Sequence, residues 1–438
     1  MKKTFRFSRR SLTDGLRPTQ KAVEERLLND TSIFMFDGLR VLVSLLCILA
    51  LCASISAQDW KIVHDGVDYA HVDHKIGSDP VKINLLRLDL KKVRLDVHHA
   101  LDSVIGTETT SSIATRHGAV AAINAGFFRI DKSEFAGDAA GILMIDGRLL
   151  SESTNDRATV ILINLENKTH VLFGHYSTET WIRFEKAERP TAISGINRER
   201  KNGEGIIYES LKQKAVGQMG DVELWLGKCS RRQSESGSDR FIDCKNVEVV
   251  RDDSDAPKLK NPQFVLSLDK EFVQVNAVQE KLIALERNPN SKILVGIRIK
   301  DGKNCFAFTK DVDITNGVPQ LIKNGKIDIT WQQEKASKSF AEMRHPRTAV
   351  AKFRDGKFLM VTVDGRQPGI SVGMTLQELA EYILSLGATD AMNLDGGGST
   401  TMFLDGKVLN TPSDKEGERK VSDAVLVTLR KNARPSRR

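Results

Sequence analysis

The sequence predicts an α+β protein with a mixed, largely antiparallel sheet, many hairpins and few helices. Three observations support this fold class. Asp-Gly and Asn-Gly dipeptides recur between β-rich runs, one amphipathic helical pattern lies between two apolar runs near the carboxyl end, and no solenoid repeat is present. Asp-Gly and Asn-Gly accept the positive φ angles that tight hairpins require. Strand pairs accompanied by few helices are typical of this class.

Five hairpins are predicted from these turns, over residues 142–150, 296–308, 321–329, 349–363 and 400–410. The stretch from about 197 to 262 differs, because it is polar, rich in glycine and charge, and poor in strand signals. We expect it to form loops or part of a variable insertion that extends over about 197–340.

One strand-helix-strand unit is expected to carry the functional site. The run 357–363 predicts a strand that ends at Asp364, Gly365 and Arg366. Apolar residues at helical spacing follow, with Thr375 and Glu378 as a capping box and Gly387 as the stop. A second strand leads to Leu394. If both strands belong to one sheet they run parallel, so their carboxyl ends share an edge, where open α/β sheets bind ligands.

The segment after Leu394 is the most informative part of the chain. It reads Asp395, Gly396, Gly397, Gly398, Ser399, Thr400 and Thr401. Glycines let a ligand approach the main chain, and consecutive N–H groups in such a turn can form an anion-binding nest. A carboxylate, exposed amides and hydroxyls therefore meet at one point.

Composition limits the classes of function. The 438 residues are 40% hydrophobic and 28% charged, with a net charge of +8. This is enough apolar material for a sizeable core in two or three domains, or in one large domain with insertions. Residues 1–56 carry nine Lys/Arg against five Asp/Glu, and no basic helix or aromatic-interleaved basic stripe is present. The sequence therefore gives no indication of nucleic-acid binding.

The amino-terminal segment predicts export. An apolar run over 41–53 follows Arg40 and leads to small residues up to Ala57, which is typical of a signal peptide. Because the run begins far from Met1, we expect translation to start at Met35, and we assign residues 1–57 to a leader. The alternative is that the leader is not cleaved and anchors the protein. In that case the leader is the part of the protein that we expect to contact a membrane. The expected location is secreted, periplasmic or in the cell envelope. A β-rich segment over 58–114, the main domain over 115–430 and a basic tail over 431–438 complete the predicted organisation.

Three cysteines remain after such a leader. Cys229 and Cys244 flank a polar loop, so a disulfide that closes a hairpin fits an oxidising compartment, with Cys305 left over. Three buried thiols are the alternative. The cysteine and histidine spacing does not indicate a zinc site.

Other polar residues stand at the ends of predicted strands. Asn124 lies in the motif NAGFF, and Arg344, His345, Arg347 and Thr348 lie in RHPRTA. Arg419, Ser422 and Asp423 lie in ERKVSDAVLV. Arginines around a proline turn suit bidentate binding of phosphate or carboxylate. The alternatives are a surface charge cluster around Arg347 and a structural bridge between Asp423 and Arg419.

Taken in order, NAGFF, HPRTA, VTVDGR, the segment 373–402, VLNTPSD and ERKVSDAVLV resemble the phosphodiester glycosidase domain family, the relatives of the mammalian uncovering enzyme. The resemblance covers roughly 115–430 and is loose over 200–340. It implies an exported hydrolase that cleaves the C1–O bond of a sugar 1-phosphodiester, resembling an N-acetylglucosamine-1-phosphodiester, in a glycan, exopolysaccharide or cell-surface polymer.

Such a reaction needs groups that hold the phosphate and groups that act at C1. The expected catalytic carboxylates are Asp364 and Asp395, whose individual roles are left open. The expected phosphate ligands are Arg347, Arg366 and the amides of Gly396, Gly397 and Gly398. Further expected substrate contacts are Asn124, Thr348, Ser399, Thr400, Arg419 and Asp423. His345 is a candidate proton carrier, and Ser422 is a further candidate contact.

Two other functions remain open at this point. A divalent-metal phosphodiesterase would use Asp364, Asp395 and Asp423 as oxygen ligands and cleave the P–O bond. A non-catalytic carbohydrate-binding protein would keep the fold without turnover. No cofactor and no metal are predicted, although a divalent cation is compatible with the carboxylates; the expected partner is a sugar-phosphate or glycan substrate.

Overall fold

The computed structural model describes residues 58–209, 222–235, 239–251, 259, 261–306 and 309–430. The proposed leader and the basic tail lie outside these residues. Within the described residues, none of the helices has both the length and the apolar character that a membrane crossing requires.

Strands dominate the chain. The strands are β1 (Lys61–His64), β2 (Val67–Ile76), β3 (Asp79–Leu88), β4 (Val93–His99), β5 (Glu108–Thr109), β6 (Ala121–Asn124), β7 (Leu143–Ile145), β8 (Arg148–Ser151), β9 (Ala158–Leu165), β10 (Lys168–His175), β11 (Ser177–Phe184), β12 (Thr191–Ala192), β13 (Gly195–Ile196), β14 (Gly205–Glu209), β15 (Val222–Gln233), β16 (Asp239–Val250), β17 (Phe264–Leu268), β18 (Ile293–Asp301), β19 (Asn304–Phe306), β20 (Val312–Asn316), β21 (Gln320–Lys323), β22 (Lys326–Ile327), β23 (Arg347–Phe353), β24 (Phe358–Val363), β25 (Ala388–Asn393), β26 (Met402–Leu404), β27 (Lys407–Val408), β28 (Lys420–Val421) and β29 (Asp423–Leu429).

The helices are few and short. The α-helices are α1 (Thr110–Arg116), α2 (Lys270–Val275), α3 (Gln279–Arg287), α4 (Lys338–Glu342) and α5 (Leu376–Ser385), and 3-10 turns occur at Ala100–Asp102 and Gly397–Ser399. In the described part of the chain, every strand ladder except β13–β14 is antiparallel. The predicted α+β class with largely antiparallel sheets is therefore confirmed, and all five predicted hairpins are present.

The predicted strand-helix-strand unit lies in an eight-stranded sheet of order β1-β2-β3-β24-β23-β25-β21-β22. Because β24 and β25 both pair antiparallel with β23, they run parallel to each other. Their carboxyl ends therefore lie at the same edge, with β23 between them. Neighbouring strands are spaced by ~4.8 Å, so β24 and β25 lie about 10 Å apart.

Packing on both faces fixes this sheet. Leu359 and Val361 of β24 pack with Leu379 and Ile383 of α5 on one face. On the other face, alternate residues of the same strands pack against a five-stranded sheet of order β27-β26-β6-β29-β4. α5 begins at the predicted capping box, in which the Thr375 side chain accepts from the N–H of Glu378. The site thus stands on two sheets that are buried against each other.

The expectation of loops over 197–262 was wrong. Much of this stretch forms three strands, β14, β15 and β16. They belong to the same sheet as β17 and β18, which follow later in the chain. In β16, Ile242 and Cys244 are buried while Phe241 and Asp243 are partly exposed. The strands were missed because their outward positions carry charged residues, so the overall composition concealed an alternation that burial of the inner face satisfies.

A disulfide joins Cys229 to Cys244, which pair directly across β15 and β16, and Cys305 is a free, exposed cysteine. Of the two alternatives that the sequence left open, the disulfide is the one present. The bridge closes a hairpin loop with a sequence separation of 15.

Replacing both Cys229 and Cys244 with alanine is expected to lower the free energy of unfolding by roughly 3 kcal/mol, because the cross-link reduces the entropy of the unfolded chain. Chemical denaturation under oxidising conditions measures this loss. Cys305→Ala is the control and should change stability little, since this side chain is exposed. An equal stability of the double variant and the parent would show that the bridge does not restrict the unfolded chain.

Candidate active site

The glycine segment after β25 leaves no room for side chains. Gly397 has φ +61°, and its N–H donates to the carbonyl of Pro346 at 2.9 Å. A Cβ on Gly396 would lie 2.7 Å from that same carbonyl oxygen. A Cβ on Gly398 would lie 2.2 Å from Nη2 of Arg419 and 2.3 Å from the carboxylate of Asp414. Glycine is needed here because other groups of the site occupy the space.

Asp395 is held by its main chain while its carboxylate lacks a full set of partners. Its N–H donates to the carbonyl of Ala125 at 2.9 Å, and its own carbonyl accepts from Nδ2 of Asn124 at 2.6 Å. Oδ2 is buried and has no hydrogen-bond partner among the described residues. Burial raises the pKa of Asp395 to about 6, against the opposing effects of the Ser399 hydroxyl and of the Arg419 charge. The carboxyl group is therefore poised to exchange a proton near neutral pH.

Asn124 and Thr348 position the segment. The Asn124 side-chain oxygen accepts from Oγ1 of Thr348 at 2.9 Å and from the N–H of Thr401 at 3.0 Å. Together with its bond to Asp395, the Asn124 amide is occupied by the protein on both ends. The structure therefore places Asn124 and Thr348 at the glycine segment, where they orient it, and their direct contacts with substrate stay a prediction.

Asp423 lies on the other side of Ala125, because the N–H of Ala125 donates to the Asp423 carbonyl at 3.1 Å. The buried Asp423 carboxylate accepts from the Gly126 N–H at 3.2 Å, from Oγ1 of Thr315 at 2.7 Å and from Oγ of Ser422 at 2.6 Å. Its negative charge contributes to the raised pKa of Asp395. Ser422 thus supports Asp423, and the main chains of two aspartates flank Ala125 of the NAGFF motif.

Two arginines approach the glycine segment from other loops. Arg366 is exposed, has φ +60°, and places Nη2 3.0 Å from where a Cβ on Gly397 would stand. No carboxylate among the described residues forms an ion pair with it. Positive φ at a non-glycine residue costs conformational energy and is concentrated at functional sites. Arg366 is therefore an available cation beside the glycines.

Arg419 forms an ion pair with Asp414, with Nε to Oδ2 at 2.7 Å and Nη2 to Oδ1 at 3.1 Å. The alternative bridge from Arg419 to Asp423 is therefore wrong. Asp414 was missed as a site residue although it ends the quoted motif VLNTPSD. Only the fold brings this loop against Gly398.

Arg347 has a structural role, which corrects the expectation of a phosphate ligand. Its buried guanidinium donates to the carbonyls of Met374 at 2.8 Å, Phe340 at 2.8 Å and Met343 at 3.0 Å, and it stacks over the Phe340 ring. Burial lowers the pKa of Arg347 to about 9. Two of these carbonyls lie at the end of α4 and the third lies just before α5, and together they occupy Nε and Nη2, the pair of donors with which arginine binds a phosphate side-on.

Asp364 anchors a neighbouring loop. Its carboxylate accepts from the N–H of Thr411 at 3.2 and 3.1 Å, and its carbonyl accepts from Oγ of Ser371 at 2.6 Å. Burial raises its pKa, and the Thr411 N–H opposes that shift. Strand β23 lies between β24 and β25, so Asp364 and Asp395 do not follow neighbouring strands. The aspartate that main-chain hydrogen bonds link to Asp395, by way of Ala125, is Asp423.

The main chain of His345 exchanges two hydrogen bonds with that of Met374, with N···O distances of 3.2 and 3.1 Å. Burial, together with the nearby charges of Arg347 and Arg366, lowers the pKa of its imidazole. These effects favour the neutral form of the ring.

Several buried polar atoms around the segment have no hydrogen-bond partner within the described ranges. They are Oγ1 of Thr400 and Thr401, Oδ1 of Asn393 and both side-chain atoms of Asn316. Buried polar groups are almost always paired, so a cluster of exceptions indicates a place for water or a ligand. Thr315 and Asn316 were missed as candidate site residues. They stand at the end of an apolar run, as Asp364 does, and that position could have indicated them.

The three aspartates of the metal-dependent alternative are not close enough together to form a group of metal ligands. In the described ranges, the group of at least three His, Asp, Glu or Cys ligand atoms within 4.8 Å of one another is His98, Asp102 and His117. Asp364, Asp395 and Asp423 do not form such a group.

The comparisons with known proteins agree with the resemblance. Residues 245–428 match the family described as phosphodiester glycosidase. The chain is 36% identical over 170 residues to a bovine (Bos taurus) N-acetylglucosamine-1-phosphodiester alpha-N-acetylglucosaminidase, which covers 37% of this chain and 28% of the relative. It is 37% identical over 142 residues to protein YomE of Bacillus subtilis, covering 32% and 19%. The resemblance is thus confirmed, although the chain spans less than a third of the length of these relatives.

Solved structures support the fold. A protein of Burkholderia pseudomallei provisionally described as exported has a TM-score of 0.63 at 21% identity, over 80% of this chain and 74% of the other. A hypothetical protein of Synechocystis has a TM-score of 0.63 at 19% identity, over 86% and 64%. Identities this low show the fold alone.

Proposed function

We propose, from the phosphodiester glycosidase domain that residues 245–428 carry, that this protein hydrolyses the C1–O bond of a sugar 1-phosphodiester. The observation that carries the proposal is the buried Asp395 carboxyl group, with an unpartnered Oδ2 and a pKa of about 6, beside the guanidinium groups at Gly397 and Gly398. The names of the bovine and other mammalian relatives agree with this substrate class.

The chemistry assigns different work to the two sets of groups. Arg366 and Arg419 hold the phosphate oxygens, and the hydroxyl of Ser399 and the unpartnered hydroxyl of Thr400 contact phosphate or sugar oxygens. As the C1–O bond breaks, its electron pair leaves with the phosphate monoester, which needs little protonation. A water oxygen then bonds to C1. Asp395 in its ionised form either takes the proton of this water or first attacks C1 itself.

Asp423 is the second carboxylate in this proposal. Its three hydrogen bonds fix its position beside Ala125, and its charge adds to the negative potential that stabilises an oxocarbenium-like centre. Asp364 acts as a positioning residue, because its bond to Thr411 holds the loop that leads to Asp414.

Hydrolysis of an N-acetylglucosamine-1-phosphodiester in ¹⁸O-labelled water tests the proposal. We expect the label in the sugar product, because the C–O bond breaks. Label in the phosphate would contradict the proposal and favour the metal-dependent phosphodiesterase, as would complete loss of activity with chelator and its recovery with Mg²⁺ or Ca²⁺. Glycan binding without turnover would favour a non-catalytic carbohydrate-binding protein.

The dependence of kcat/KM on pH provides a further prediction. The ionised form of Asp395 is the reactive one, so kcat/KM should rise about tenfold per pH unit below pH 6 and level off above it. Initial rates from pH 4 to 8 measure this profile. A rate that falls as the pH rises through 6 would instead make Asp395 the proton donor.

We also propose that the protein acts outside the cytoplasm, on an exopolysaccharide or another cell-surface polymer. The description of the Burkholderia structure as exported supports this location. Fractionation of cells that express the full chain tests it, and recovery only with the cytoplasmic fraction would contradict it.

A further inference from the structure

We propose that Arg157 is a substrate-binding residue of this site, whose guanidinium binds an anionic oxygen of the substrate phosphate. Arg157 immediately precedes β9, far along the chain from Arg366 and Arg419. That the anion is a substrate phosphate rests on the proposed function. That Arg157 lacks hydrogen-bond partners, and so can take an anion, rests on the structure.

The Arg157 guanidinium is buried without sufficient partners. Its Nε and Nη1 atoms are both buried, and neither has a hydrogen-bond partner among the described residues. Burial lowers the pKa of Arg157, and the Glu334 and Asp395 carboxylates oppose that shift. A buried cation with unmade hydrogen bonds is costly, so folded proteins rarely keep one without a ligand or water.

Phe127 connects this guanidinium to the active site. The central carbon of the guanidinium lies 5.5 Å from the centroid of the Phe127 ring. Phe127 follows Gly126, whose N–H binds Asp423. Phe127 also packs edge-on against Phe340, with ring centroids 6.0 Å apart. Arg157 therefore lies over an aromatic ring of the NAGFF motif, close enough for the charge of Asp395 to act on it.

Glu334 does not neutralise Arg157 through a hydrogen bond. Its buried carboxylate accepts from the N–H of Ala158 at 2.9 Å, the N–H of Gln320 at 2.9 Å and Oγ1 of Thr330 at 2.5 Å. His175 lies 3.1 Å from the same carboxylate. Glu334 thus uses its lone pairs elsewhere and, through Ala158, holds the main chain next to Arg157.

An anionic ligand oxygen completes this arrangement. Arginine donates from two N–H groups to phosphate or carboxylate in a fixed fork, and on Arg157 the unpartnered Nε belongs to the fork that Nε forms with Nη2. Stacking on Phe127 keeps the guanidinium plane in place without using its donors. In the proposed reaction, the phosphate of the substrate is the anion that lies beside Asp395.

The test compares phosphate binding by the parent protein and by Arg157→Met. Isothermal titration with inorganic phosphate and with a sugar 1-phosphodiester should show about tenfold to hundredfold weaker binding for the variant. KM should rise by a similar factor. Arg157→Lys should lie between the two, because lysine keeps the charge but loses the fork.

Arg200→Met is the matched control. Arg200 is another buried arginine, but it donates to Ser267 at 3.0 Å and Asp269 at 3.2 Å within the 197–340 region. Its replacement should reduce stability and leave the affinity for phosphate unchanged. Arg157→Met, in contrast, should cost little stability, because few hydrogen bonds of the folded protein are lost.

Unchanged phosphate affinity in folded Arg157→Met would overturn the inference. If that variant does not fold, Arg157→Lys decides in the same way. Failure of the proposed function looks different: no hydrolysis of the sugar 1-phosphodiester, with phosphate binding that still depends on Arg157. If the substitution of Arg157 changes neither hydrolysis nor phosphate binding, Arg157 is not a substrate-binding residue, and the proposed function stands.

Discussion

Asp395→Asn is expected to lower kcat by about a thousandfold or more, because the variant cannot ionise and so can neither take a proton nor attack C1. The side chain keeps its shape, and the main-chain bonds of Asp395 to Ala125 and Asn124 are unaffected. Steady-state hydrolysis of a sugar 1-phosphodiester measures the loss, and circular dichroism checks the fold. Asp355→Asn, at the exposed turn between β23 and β24, is the control and should keep full activity.

The same substitution should stabilise the protein at neutral pH. The pKa of Asp395 rises on folding from 3.8 to about 6, so the folded state binds the proton more tightly and loses stability as the pH rises from about 4 to 6. Asp395→Asn removes that loss, and we expect a gain of roughly 2 to 3 kcal/mol at pH 7 that disappears below pH 4. Near-normal turnover would exclude Asp395 from catalysis, and equal stability at pH 7 would show that water solvates the carboxylate.

Gly398→Ala is expected to lower kcat/KM about a hundredfold and to destabilise the protein by about 1 to 3 kcal/mol. The new Cβ would lie 2.2 Å from Nη2 of Arg419 and 2.3 Å from the Asp414 carboxylate, so the ion pair or the glycine segment has to move. Kinetics and chemical denaturation measure the two effects.

A double-mutant comparison separates this clash from a general effect of alanine in the segment. In a background of Asp414→Ala with Arg419→Ala, the groups that Cβ would meet are gone, so Gly398→Ala should have a much smaller further effect. An equally large effect in both backgrounds would contradict the steric explanation.

Local patterns predicted much of the fold, and they singled out the glycine segment as the candidate site. The hairpins follow from their turn residues, α5 follows from its capping box, and the shared edge of β24 and β25 follows from the strand-helix-strand order. The strands over 197–262 were missed because their charged outward residues concealed the alternation. A local composition does not reveal which face of a strand another sheet will cover.

Side-chain roles were harder to predict than positions. Arg347 precedes the same apolar strand that leads to the site, yet its donors bind three carbonyls near α4. Asn124 was expected to contact substrate, and its amide also holds Asp395, Thr348 and Thr401. A polar residue in a motif can bind a ligand or support the main chain, and only its surroundings distinguish the two.

The sequence by itself determined the glycine segment, the carboxylate before it and the family that it resembles, because turns, caps and motifs are encoded by residues that are close along the chain. Only the tertiary structure decided which distant groups complete the site. It set Asp423 beside Ala125, Asp414 with Arg419 against Gly398, and a buried Arg157 over Phe127. These contacts depend on how two sheets pack, and burial in that packing is also what raises the pKa of Asp395.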